Sequence, residues 1–594
     1  MPNLTSNSKS SHLTSNSPSK DELLFLPLGG CNEIGMNLNL YGHKGKWIIV
    51  DFGVSFGGDS LPGVDVIMAD PSFVEDHLED VLAIVLTHAH EDHLGAIPYL
   101  WEDLKLPVYA TPFTAAFLRK KLHETNFAAE VPIHTIGLNE RFEVGPFDLE
   151  YIALTHSIPE PNALFIRTDA GNIFHTGDWK LDPDPIVGEP IDLKKIAAIK
   201  QEGVRAMMCD STNALSAGHS ESEGKIAEAL KQVIAQQKGK LAVGCFASNI
   251  ARLRSIVEAG LACGRKPALI GRSLWRMQET ARETGYLEGI PSFLSEAEIK
   301  DYPADKVILI CTGSQGEPRA ALARIARGDH SIKLSKNDTV LFSSRDIPGN
   351  ELAIGRLQNG FAQLGVEVIT ASEFPIHASG HPCRDELVEM YDLIRPEILI
   401  PVHGEPRHLI AQAKLAQECQ IPYQFVPENG VILDLAGTEA PKQIDEAFSG
   451  RLGLSGDDLL PLDHESIRNR RKLSEAGVVM ITLQLKKHQQ LADIPNISVV
   501  GLPEPTMDER KTLVALIYDL AESAPSSASK KQGKRAQRHV EDKRSPRKST
   551  RSNHHAAMET EQGLALGERV RRAVRRHFSS LNGMRPIVIV HEVT

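Results

Sequence analysis

Short apolar runs separated by polar turns fill the first 200 residues of the chain. Four of these runs, bounded by glycine, aspartate or histidine, are typical of buried strands: Leu23–Leu26, Leu38–Tyr41, Trp47–Val50 and Val81–Leu86. Segments such as Phe113–His123 have the apolar spacing of a helix instead. The mixture predicts a layered α/β fold in which helices cover a sheet.

From about residue 215 to 375 the pattern changes to repeated strand–helix units. The strand-like runs here are Leu241–Phe246, Ala268–Ile270, Val307–Cys311 and Val340–Phe342. An arginine-bearing helix is predicted around Ile250–Ala259. This alternation indicates a second α/β unit with a parallel sheet, inserted into the first. Residues 376–440 then return to histidine-containing loops that follow strands.

Beyond about residue 450 the chain predicts a small α+β domain. Its strands are expected at Val478–Leu485, Ile497–Val500 and Pro586–Val593, and its helices at Asp508–Ser523 and Glu561–Ser580. A low-complexity stretch, residues 524–558, separates the two helices, and residues 530–551 within it hold ten Lys or Arg against only Glu541 and Asp542. The favoured interpretation is a solvated, disordered insert. The alternative is an auxiliary contact to nucleic acid, because basic segments release counterions from phosphates.

Composition narrows the class of protein. A length of 594 residues predicts two or three domains, and the formal net charge of −12 argues against a nucleic-acid partner unless local patches decide recognition. No run of 18 apolar residues is present, so a membrane span is not expected. Residues 1–20 are polar and are expected to be a disordered tail without a signal peptide. Seven scattered cysteines without a CxxC pair indicate reduced thiols and a cytoplasmic location.

The strongest chemical signal is the segment Thr87–His93, which directly follows the strand-like run Leu82–Leu86. It offers four candidate ligands within six residues, namely His88, His90, Asp92 and His93. Imidazole nitrogen and carboxylate oxygen together suit zinc or manganese. Because His88 and His90 alternate in an extended loop, they are expected to face one ion, and Asp92 and His93 a neighbouring one.

Further candidate ligands stand where other predicted strands end. They are Asp51 after Trp47–Val50, His156 after Leu149–Leu154, Asp178 after Asn172–His175, and His403 after Ile398–Pro401. A single His or Asp after a strand is more often a cap than a ligand. Four of them together with the Thr87–His93 loop favour a metal site, because sites in α/β proteins lie beyond the carboxyl ends of strands.

These motifs resemble a known family. The HxHxDH segment with later His, Asp and His is the metallo-β-lactamase signature, and the long insertion before His377–His381 and Pro401–Glu405 resembles the nucleic-acid-processing β-CASP branch. Three further segments resemble the bacterial ribonuclease J family: Leu28–Asn37, Phe342–Glu351, and Arg571–Arg576 with Arg585-Pro586. The resemblance covers roughly residues 23–523 and 561–594, and nothing is carried over to the tail or the basic insert.

The resemblance implies an architecture. It is a metallo-β-lactamase αββα sandwich with an inserted parallel α/β β-CASP domain and a small α+β C-terminal domain. The boundaries that we expect are the sandwich at 21–214 and 376–450, the β-CASP domain at 215–375, a linker at 451–475 and the C-terminal domain at 476–594. The disordered tail at 1–20 and the disordered basic insert at 524–558 are expected from composition alone.

The resemblance also implies roles for the ligands. One metal would be held by His88, His90 and His156, and a second by Asp92, His93 and His403, with Asp178 bridging both. Asp92 and Asp178 would thereby take part in catalysis by two-metal activation of water. Asp51 would orient ligands by hydrogen bonding, and Asp210 is expected to support a ligand histidine or, alternatively, to cap a strand end.

Residues for the substrate follow from the same resemblance. His381 precedes His403 by the spacing of the general-acid histidine in related nucleases, although a phosphate contact alone is the alternative. The loop His377-Ala378-Ser379-Gly380-His381 has phosphate-binding chemistry. Further phosphate candidates in the inserted domain are Arg272, Ser344, Ser248 and Asn249, each of which alone is commonly a cap. In the family such residues form a pocket for a 5′-monophosphate.

The function that the resemblance implies is 5′-to-3′ exonucleolytic and endonucleolytic cleavage of single-stranded RNA in RNA maturation and mRNA decay. The implied cofactors are two divalent ions, zinc before manganese, and some relatives add a structural calcium, for which Leu61–Gly63 and Asp457-Asp458 are the candidate places. The implied partners are RNA, a homodimer or homotetramer, and other RNA-decay proteins, with no membrane.

Three alternatives stay open at this point. A thioesterase, lactonase or β-lactamase on the same metal scaffold needs no long insertion and no phosphate loop. DNA-directed β-CASP nucleases generally lack a histidine at the position of His403. A catalytically inactive RNA-binding subunit would require loss of ligands, and all seven ligand positions are filled.

Overall fold

A computed structural model describes residues 21–58, 60–347, 349–486, 490–523 and 564–593. The predicted tail at 1–20 and the basic insert at 524–558 lie outside these residues. The described residues contain no helix that is long and apolar enough to cross a membrane. All seven cysteines are free thiols, as their spacing predicts.

The described residues up to Asp210 form thirteen strands and five helices. The strands are β1 Leu24–Gly29, β2 Leu38–His43, β3 Lys46–Val50, β4 Val54–Phe56, β5 Val66–Ala69, β6 Val81–Val85, β7 Val108–Ala110, β8 Ile133–Thr135, β9 Arg141–Val144, β10 Phe147–Ala153, β11 Asn162–Thr168, β12 Gly171–His175 and β13 Ala206–Asp210. The helices are α1 Ser72–Asp76, α2 Glu91–Leu94, α3 Ile97–Leu104, α4 Pro112–Leu122 and α5 Leu193–Glu202.

The inserted region follows as alternating helices and strands. These are α6 Glu223–Ala235, β14 Leu241–Gly244, α7 Ile250–Ala262, β15 Lys266–Ile270, α8 Arg272–Glu283, β16 Val307–Cys311, α9 Ala321–Arg327, β17 Thr339–Phe342, α10 Glu351–Gln363 and β18 Glu367–Ile369. The five strands form one sheet in the order β15-β16-β14-β17-β18, and every pairing in it is parallel. The predicted parallel sheet is therefore confirmed.

The chain then returns to the first region before it enters the terminal one. The returning elements are α11 Arg384–Ile394, β19 Ile398–Val402, α12 Pro406–Glu418, β20 Tyr423–Gln424, β21 Val431–Asp434 and β22 Lys442–Glu446. The terminal elements are β23 Arg451–Ser455, β24 Asp458–Pro461, α13 Glu465–Ala476, β25 Val478–Gln484, β26 Asn496–Val500, α14 Met507–Glu522, α15 Leu566–Asn582 and β27 Ile587–Val593.

Two sheets face each other and enclose the main core. One has the order β22-β21-β1-β2-β3-β6-β7-β8 and the other β20-β19-β13-β12-β11-β10-β9. Apolar side chains from both sheets, such as Phe25, Val50, Tyr151 and Met208, are fully buried in one cluster. The outer face of the second sheet is covered by α5, α11 and α12, which bury Ile196 and neighbouring side chains. This layering agrees with the predicted αββα sandwich.

The chain forms two compact units, residues 1–55 with 66–452 and residues 56–65 with 453–594. In the second unit β25 pairs antiparallel with β26 and parallel with β27, and α14 and α15 bury their apolar faces in one core with these strands. The predicted C-terminal sheet is therefore present. A helix is expected at Glu561–Ser580. Within the described residues it begins at Leu566, because the backbone of the preceding residue, Ala565, is not helical.

Candidate metal centre

The loop after β6 presents the predicted ligands in two steps. His88 is fully buried, and His90 has an extended backbone and precedes α2, the single helical turn that contains Asp92 and His93. Because side chains two positions apart in an extended segment lie on the same side, His88 and His90 face the same way. The helical turn then places Asp92 and His93 beside them. The local sequence therefore supplies four candidate ligands from six consecutive residues.

The first ligand group consists of His88, His90, His156 and Asp178, whose ligand atoms all lie within 4.8 Å of one another. Nδ1 of His90 is 3.0 Å from Nε2 of His88 and 3.1 Å from Nε2 of His156. Two nitrogens bound to one tetrahedral zinc at its usual bond length lie roughly 3.3 Å apart. The three imidazoles therefore have the spacing that one ion requires.

The second group consists of Asp92, His93, Asp178 and His403. Nε2 of His403 lies 3.1 Å from Oδ2 of Asp92, and Nε2 of His93 lies 3.3 Å from Oδ2 of Asp178. Asp178 belongs to both groups, which is the arrangement that the resemblance implies for a bridging carboxylate.

The Oδ1 atom of Asp178 provides a test of whether a cation fits here. This atom is buried, it has no hydrogen-bond partner among the described residues, and Asp178 as a whole is 2% exposed. Burial alone would raise the pKa of Asp178, but His403, His93 and neighbouring histidines lower it well below the usual value. A buried, ionised oxygen without a hydrogen bond is unfavourable unless a cation binds it, so the donor set fits divalent metal.

Burial also keeps three of the imidazoles neutral. It lowers the pKa of His88 and of His156 well below the usual value, and that of His90 to about 4. A neutral imidazole offers a lone pair to a metal, whereas a protonated one does not. These histidines are therefore ready to coordinate at neutral pH.

Asp51 holds His93 from behind. Its Oδ2 lies 2.7 Å from Nδ1 of His93, while the backbone N–H and the hydroxyl of Thr87 donate to its two oxygens at 2.8 Å each. This leaves Nε2 of His93 directed at Asp178. Asp51 ends β3 with a φ of +65°, so the strand end itself turns the carboxylate inward. Its contacts match the orienting role that we expect for it.

His403 is held in the same way from the other side. Its Nδ1 lies 2.9 Å from the hydroxyl of Thr212 and 3.6 Å from Oδ1 of Asp210. Burial lowers the pKa of His403, but Asp178 and Asp210 outweigh that effect and raise it to about 10, so a metal that binds Nε2 must release a proton. The backbone of His403 has a φ of +53°, which places the ring directly at the end of β19.

His381 lies beside the two groups rather than within them. Its Nδ1 is 2.7 Å from Oδ2 of Asp210 and 3.9 Å from Oδ2 of Asp178, and 22% of its side chain is exposed. Burial lowers its pKa, but Asp210 and Asp178 raise it above the usual value. Asp178, Asp210, His381 and His403 form a third group with metal-ligand spacing, so a ligand role for His381 is a real alternative to the predicted acid role.

The loop His377–His381 is packed directly onto the centre. Nδ1 of His156 donates to the carbonyl oxygen of Gly380, and a Cβ at Gly380 would lie only 2.6 Å from the ring of His156. Asn213 donates through Nδ2 to the hydroxyl of Ser379 at 2.7 Å and to the carbonyl of His381 at 3.0 Å. Only glycine therefore fits at position 380. Within the same loop, Ala378 is buried, with 3% of its surface exposed.

His377 stands in cationic surroundings. Its Nδ1 is buried and has no hydrogen-bond partner among the described residues. Burial, followed by the positive charges of Arg252, Arg345 and Lys180, lowers its pKa to about 3. Positive charge next to this nitrogen opposes the binding of a metal ion there, and His377 belongs to none of the three ligand groups.

A fully buried arginine that the sequence did not single out ties this loop to the inserted domain. Arg252 on α7 donates from Nε and Nη2 to the carboxylate of Glu223 at 3.1 and 3.0 Å. Its Nη1 donates to the carbonyl and hydroxyl oxygens of Ser343 and to the carbonyl of Ile376, at 2.8 to 3.0 Å. Ile376 directly precedes His377, so the guanidinium of Arg252 fixes the start of the loop His377–His381.

The other phosphate candidates are distributed differently. The hydroxyl of Ser248 lies 3.1 Å from Nε2 of His90, so the inserted domain reaches the metal loop directly. Asn249 caps α7 by accepting from the N–H of Arg252, which is the alternative that its sequence left open. Ser344 makes no hydrogen bond among the described residues, and its neighbour Ser343 makes the contacts instead. Arg272 lines a cleft with residues of α4.

Two further polar residues support the ligands without having been predicted. Asn37 lies with Nδ2 3.2 Å from Nε2 of His93 and 3.0 Å from the carbonyl of Asp92, and Thr212 contacts His403. Asn37 belongs to the Leu28–Asn37 segment, so its motif was visible although its contact was not. Thr212 follows Asp210 by two residues, but its contact with His403 can be seen only in the folded structure.

Four family models match successive parts of the chain. They are a beta-lactamase superfamily domain at residues 46–238, the ribonuclease J beta-CASP domain at 238–361, a Zn-dependent metallo-hydrolase RNA specificity domain at 366–422 and the ribonuclease J C-terminal domain at 465–555. The candidate ligands and the loop His377–His381 fall within the first and third of these matches.

Curated relatives match over most of the chain. Ribonuclease J of Sinorhizobium meliloti is 43% identical over 96% of this chain and 97% of the relative. Ribonuclease J of Mycolicibacterium smegmatis is 42% identical over 70% and 75%, and that of Thermus thermophilus is 35% identical over 85% and 90%. A solved structure of a protein of unknown function from Enterococcus faecalis is 17% identical, with a TM-score of 0.48 over 70% of this chain and 100% of that chain, a similarity too weak to indicate function.

Proposed function

The chain belongs to the ribonuclease J family, and from that premise we propose that it hydrolyses single-stranded RNA both from the 5′ end and internally. The observation that carries the proposal is the shared Asp178, which joins two buried ligand groups directly beneath a loop with phosphate-binding chemistry. The chain is a metallo-β-lactamase-fold hydrolase with a β-CASP insertion and a C-terminal domain.

His88, His90 and His156 would hold one divalent ion, and Asp92, His93 and His403 the other, with Asp178 shared. When bound, two such ions lower the pKa of a shared water and neutralise charge on the phosphate. Zinc is favoured over manganese because five of the seven ligands are imidazoles, although both metals take this set. Asp51 and Asp210 hold the imidazoles in place through their other nitrogens.

The leaving oxygen needs a proton, and His381 is the residue that we propose to supply it. Asp210 holds its Nδ1 at 2.7 Å and favours the protonated ring, while no hydrogen bond among the described residues occupies its Nε2. A partly exposed side chain beside the ligands, whose protonated form Asp210 favours, can reach a substrate oxygen. Its place in the third ligand group is the competing explanation, and metal analysis separates the two.

The 5′-monophosphate is proposed to bind against His377, Ser379 and the backbone of the loop that contains them. Support comes from the nearby cation Arg345, which has no carboxylate partner among the described residues, and from the unpaired Nδ1 of His377. A doubly charged terminal phosphate would satisfy that nitrogen once protonated and would anchor the RNA by its end. Such an anchor explains digestion from the 5′ end without any sequence requirement.

The alternatives are less well supported by the same geometry. A lactonase or β-lactamase does not need an inserted domain that places Ser248 beside His90, and it does not need the loop His377–His381. Against a DNA-directed relative stands His403, which lies within ligand distance of Asp92. An inactive RNA-binding subunit is disfavoured because all seven candidate ligands converge.

The decisive experiment follows end-labelled RNA that bears either a 5′-monophosphate or a 5′-triphosphate. We expect release of mononucleotides from the monophosphorylated RNA, slower internal cuts in the triphosphorylated RNA, and neither after chelation of metal. Unchanged cleavage by the metal-free protein would contradict the two-metal proposal. Equal mononucleotide release from both RNAs would contradict the 5′-phosphate pocket alone.

The wider setting is also a proposal. Relatives named ribonuclease J support a cytoplasmic role in RNA maturation and mRNA decay, together with other RNA-decay proteins. We further propose that the C-terminal domain joins subunits into dimers or tetramers, because Met480, Ile589 and Val500 leave 40 to 57% of their surface exposed on its small sheet. Removal of residues beyond about 455 should then yield a monomer in sedimentation.

A further inference from the structure

A cleft of about 370 Å³ lies between α4 of the sandwich and α8 of the inserted domain. Lys120, His123 and Glu124 line one wall, and Arg272, Trp275 and Arg276 line the other. Two ion pairs join the walls, one between Arg276 and Glu124 and one between Lys120 and Glu283 at 2.7 Å. The cleft is therefore bounded on both sides by charged side chains that are already fixed.

Trp275 distinguishes this cleft from an ordinary polar groove. The chain has four tryptophans, and Trp47, Trp101 and Trp179 are at most 2% exposed. Trp275 is partly exposed, and no aromatic ring of the described residues stacks on it. An indole face that is left open in a cleft has a large favourable surface for a flat ligand.

Arg272 stands beside that indole without a carboxylate partner. It is exposed, it begins α8, and it forms no hydrogen bond or ion pair within the described part of the chain. Because three positions separate Arg272 from Trp275, the two side chains lie on one side of the helix. The other two cations of the cleft, Lys120 and Arg276, are paired with carboxylates, so Arg272 is the cation that an incoming anion meets first.

The elements that form the cleft are connected to the metal loop. Lys121 on α4 is ion-paired with Glu91, which lies between the candidate ligands His90 and Asp92. On the other wall, α8 starts where β15 ends, and Ser248 follows the end of β14 in the same parallel sheet and contacts His90. One wall is therefore tied to the metal loop through the Lys121–Glu91 pair, and the other belongs to the domain whose Ser248 contacts His90.

We propose that this cleft is a subsite for one nucleotide of the RNA strand away from the bond that is cleaved. The base stacks on the indole of Trp275, and the adjoining phosphate is bound by Arg272. The inference rests on the proposed ribonuclease function and adds the place where the strand is held. Stacking of this kind accepts any base, which suits an enzyme that degrades RNA without sequence preference.

Tryptophan fluorescence tests the subsite in the full-length, metal-loaded protein. The probe is a hydrolysis-resistant phosphorothioate oligouridylate of about 12 nucleotides, which spans a typical single-strand site. Stacking of uracil on Trp275 is expected to quench its emission, while the three buried tryptophans give a constant background. An oligomer of equal length without bases carries the same phosphates and should leave the emission unchanged.

Variants then separate stacking from mere proximity, with affinity followed by the anisotropy of a 3′-labelled oligonucleotide. Trp275→Phe should remove the quenching and keep the affinity, because phenylalanine still stacks. Trp275→Ala should weaken binding by roughly 5- to 150-fold, the usual effect of losing one base–aromatic stack. Tyr302→Ala is the matched control, since Tyr302 is an exposed aromatic residue of the inserted domain outside the cleft and is 38% exposed.

The outcomes separate this subsite from the proposed function. RNA that binds and is cleaved but does not quench Trp275, or that binds Trp275→Ala as tightly as the parent, overturns the subsite and leaves the ribonuclease intact. Equal quenching by the oligomer without bases overturns the stacking. RNA that is neither bound nor cleaved would overturn the ribonuclease proposal, and the subsite with it.

Discussion

Nδ1 of His381 lies 2.7 Å from Oδ2 of Asp210, a carboxylate 171 residues earlier in the chain. Asp210 is fully buried at the end of β13, and its own pKa is lowered because His381 and His403 outweigh the effect of burial. An ionised, buried carboxylate next to an imidazole stabilises the protonated ring. The pair therefore sets the protonation state of His381.

Replacement of Asp210 by asparagine should lower the pKa of His381. A general acid must be protonated, so activity is present below this pKa and is lost as the pH rises through it. Because Asp210 raises the pKa above the usual value of about 6.5, its loss should move the alkaline limb of the kcat/KM profile toward lower pH. The profile is measured with metal content checked in parallel, and an unmoved limb with full metal would contradict the role of His381.

His381→Ala should slow cleavage by about 10²–10⁴-fold while both metals stay bound, which is the usual effect of removing a general acid. Metal analysis of the purified variant is the critical measurement, because His381 also has ligand spacing with Asp178 and His403. Loss of one equivalent of metal would identify His381 as a ligand. His377→Ala serves as a control that should raise KM for monophosphorylated RNA with little effect on the rate at saturation.

The sequence was most informative where chemistry dictates the residue type. Metal binding demands His and Asp at strand ends, so His88, His156 and Asp178 stand out in the sequence, and the structure brings them together. Their roles as ligands stay predictions until metal is measured. The fold class could be predicted for a related reason, because the alternation of strands and helices is a local pattern that tertiary packing did not override.

What the sequence did not reveal depends on contacts between distant segments. Arg252 lies within a helix, where arginine is ordinarily exposed, and nothing local indicates that Glu223 and Ser343 surround it. The sequence indicates Ser344 as a phosphate candidate, whereas Ser343 makes the hydrogen bonds. Alternate residues of an extended segment face opposite ways, and the sequence does not show which of them faces inward. Some helix ends differ from the predicted ones for a similar reason, because helix capping depends on the backbone geometry of the folded chain.

Arg252→Met should destabilise the protein by about 3–5 kcal/mol, because it leaves the carboxylate of Glu223 buried without its partner. It should also release the carbonyl of Ile376 and so raise KM for monophosphorylated RNA. Urea denaturation measures the first effect. The control is Arg254→Met on the same helix, whose exposed pair with Glu258 should contribute about 0.5 kcal/mol or less. Equal midpoints for the two variants would show that the buried network contributes nothing.

The last prediction concerns the basic insert, residues 524–558, which lies outside the described residues. Its ten Lys or Arg between positions 530 and 551 are interleaved with Ser, Gly and Pro, and Phe, Tyr and Trp are absent, so base stacking is not expected. The favoured interpretation, a solvated segment, predicts that binding of long RNA depends on salt equally with and without it. Capture of the phosphate backbone instead predicts that deletion raises KM for long RNA and flattens the salt dependence.

A Gly/Ser segment of equal length is the matched control for deletion of the basic insert, because it keeps the spacing and removes the charge. Under both interpretations, turnover of a saturating short oligonucleotide should stay unchanged, since the candidate ligands lie between His88 and His403. A fall in that turnover would show that the insert acts on the metal centre itself, which neither interpretation allows.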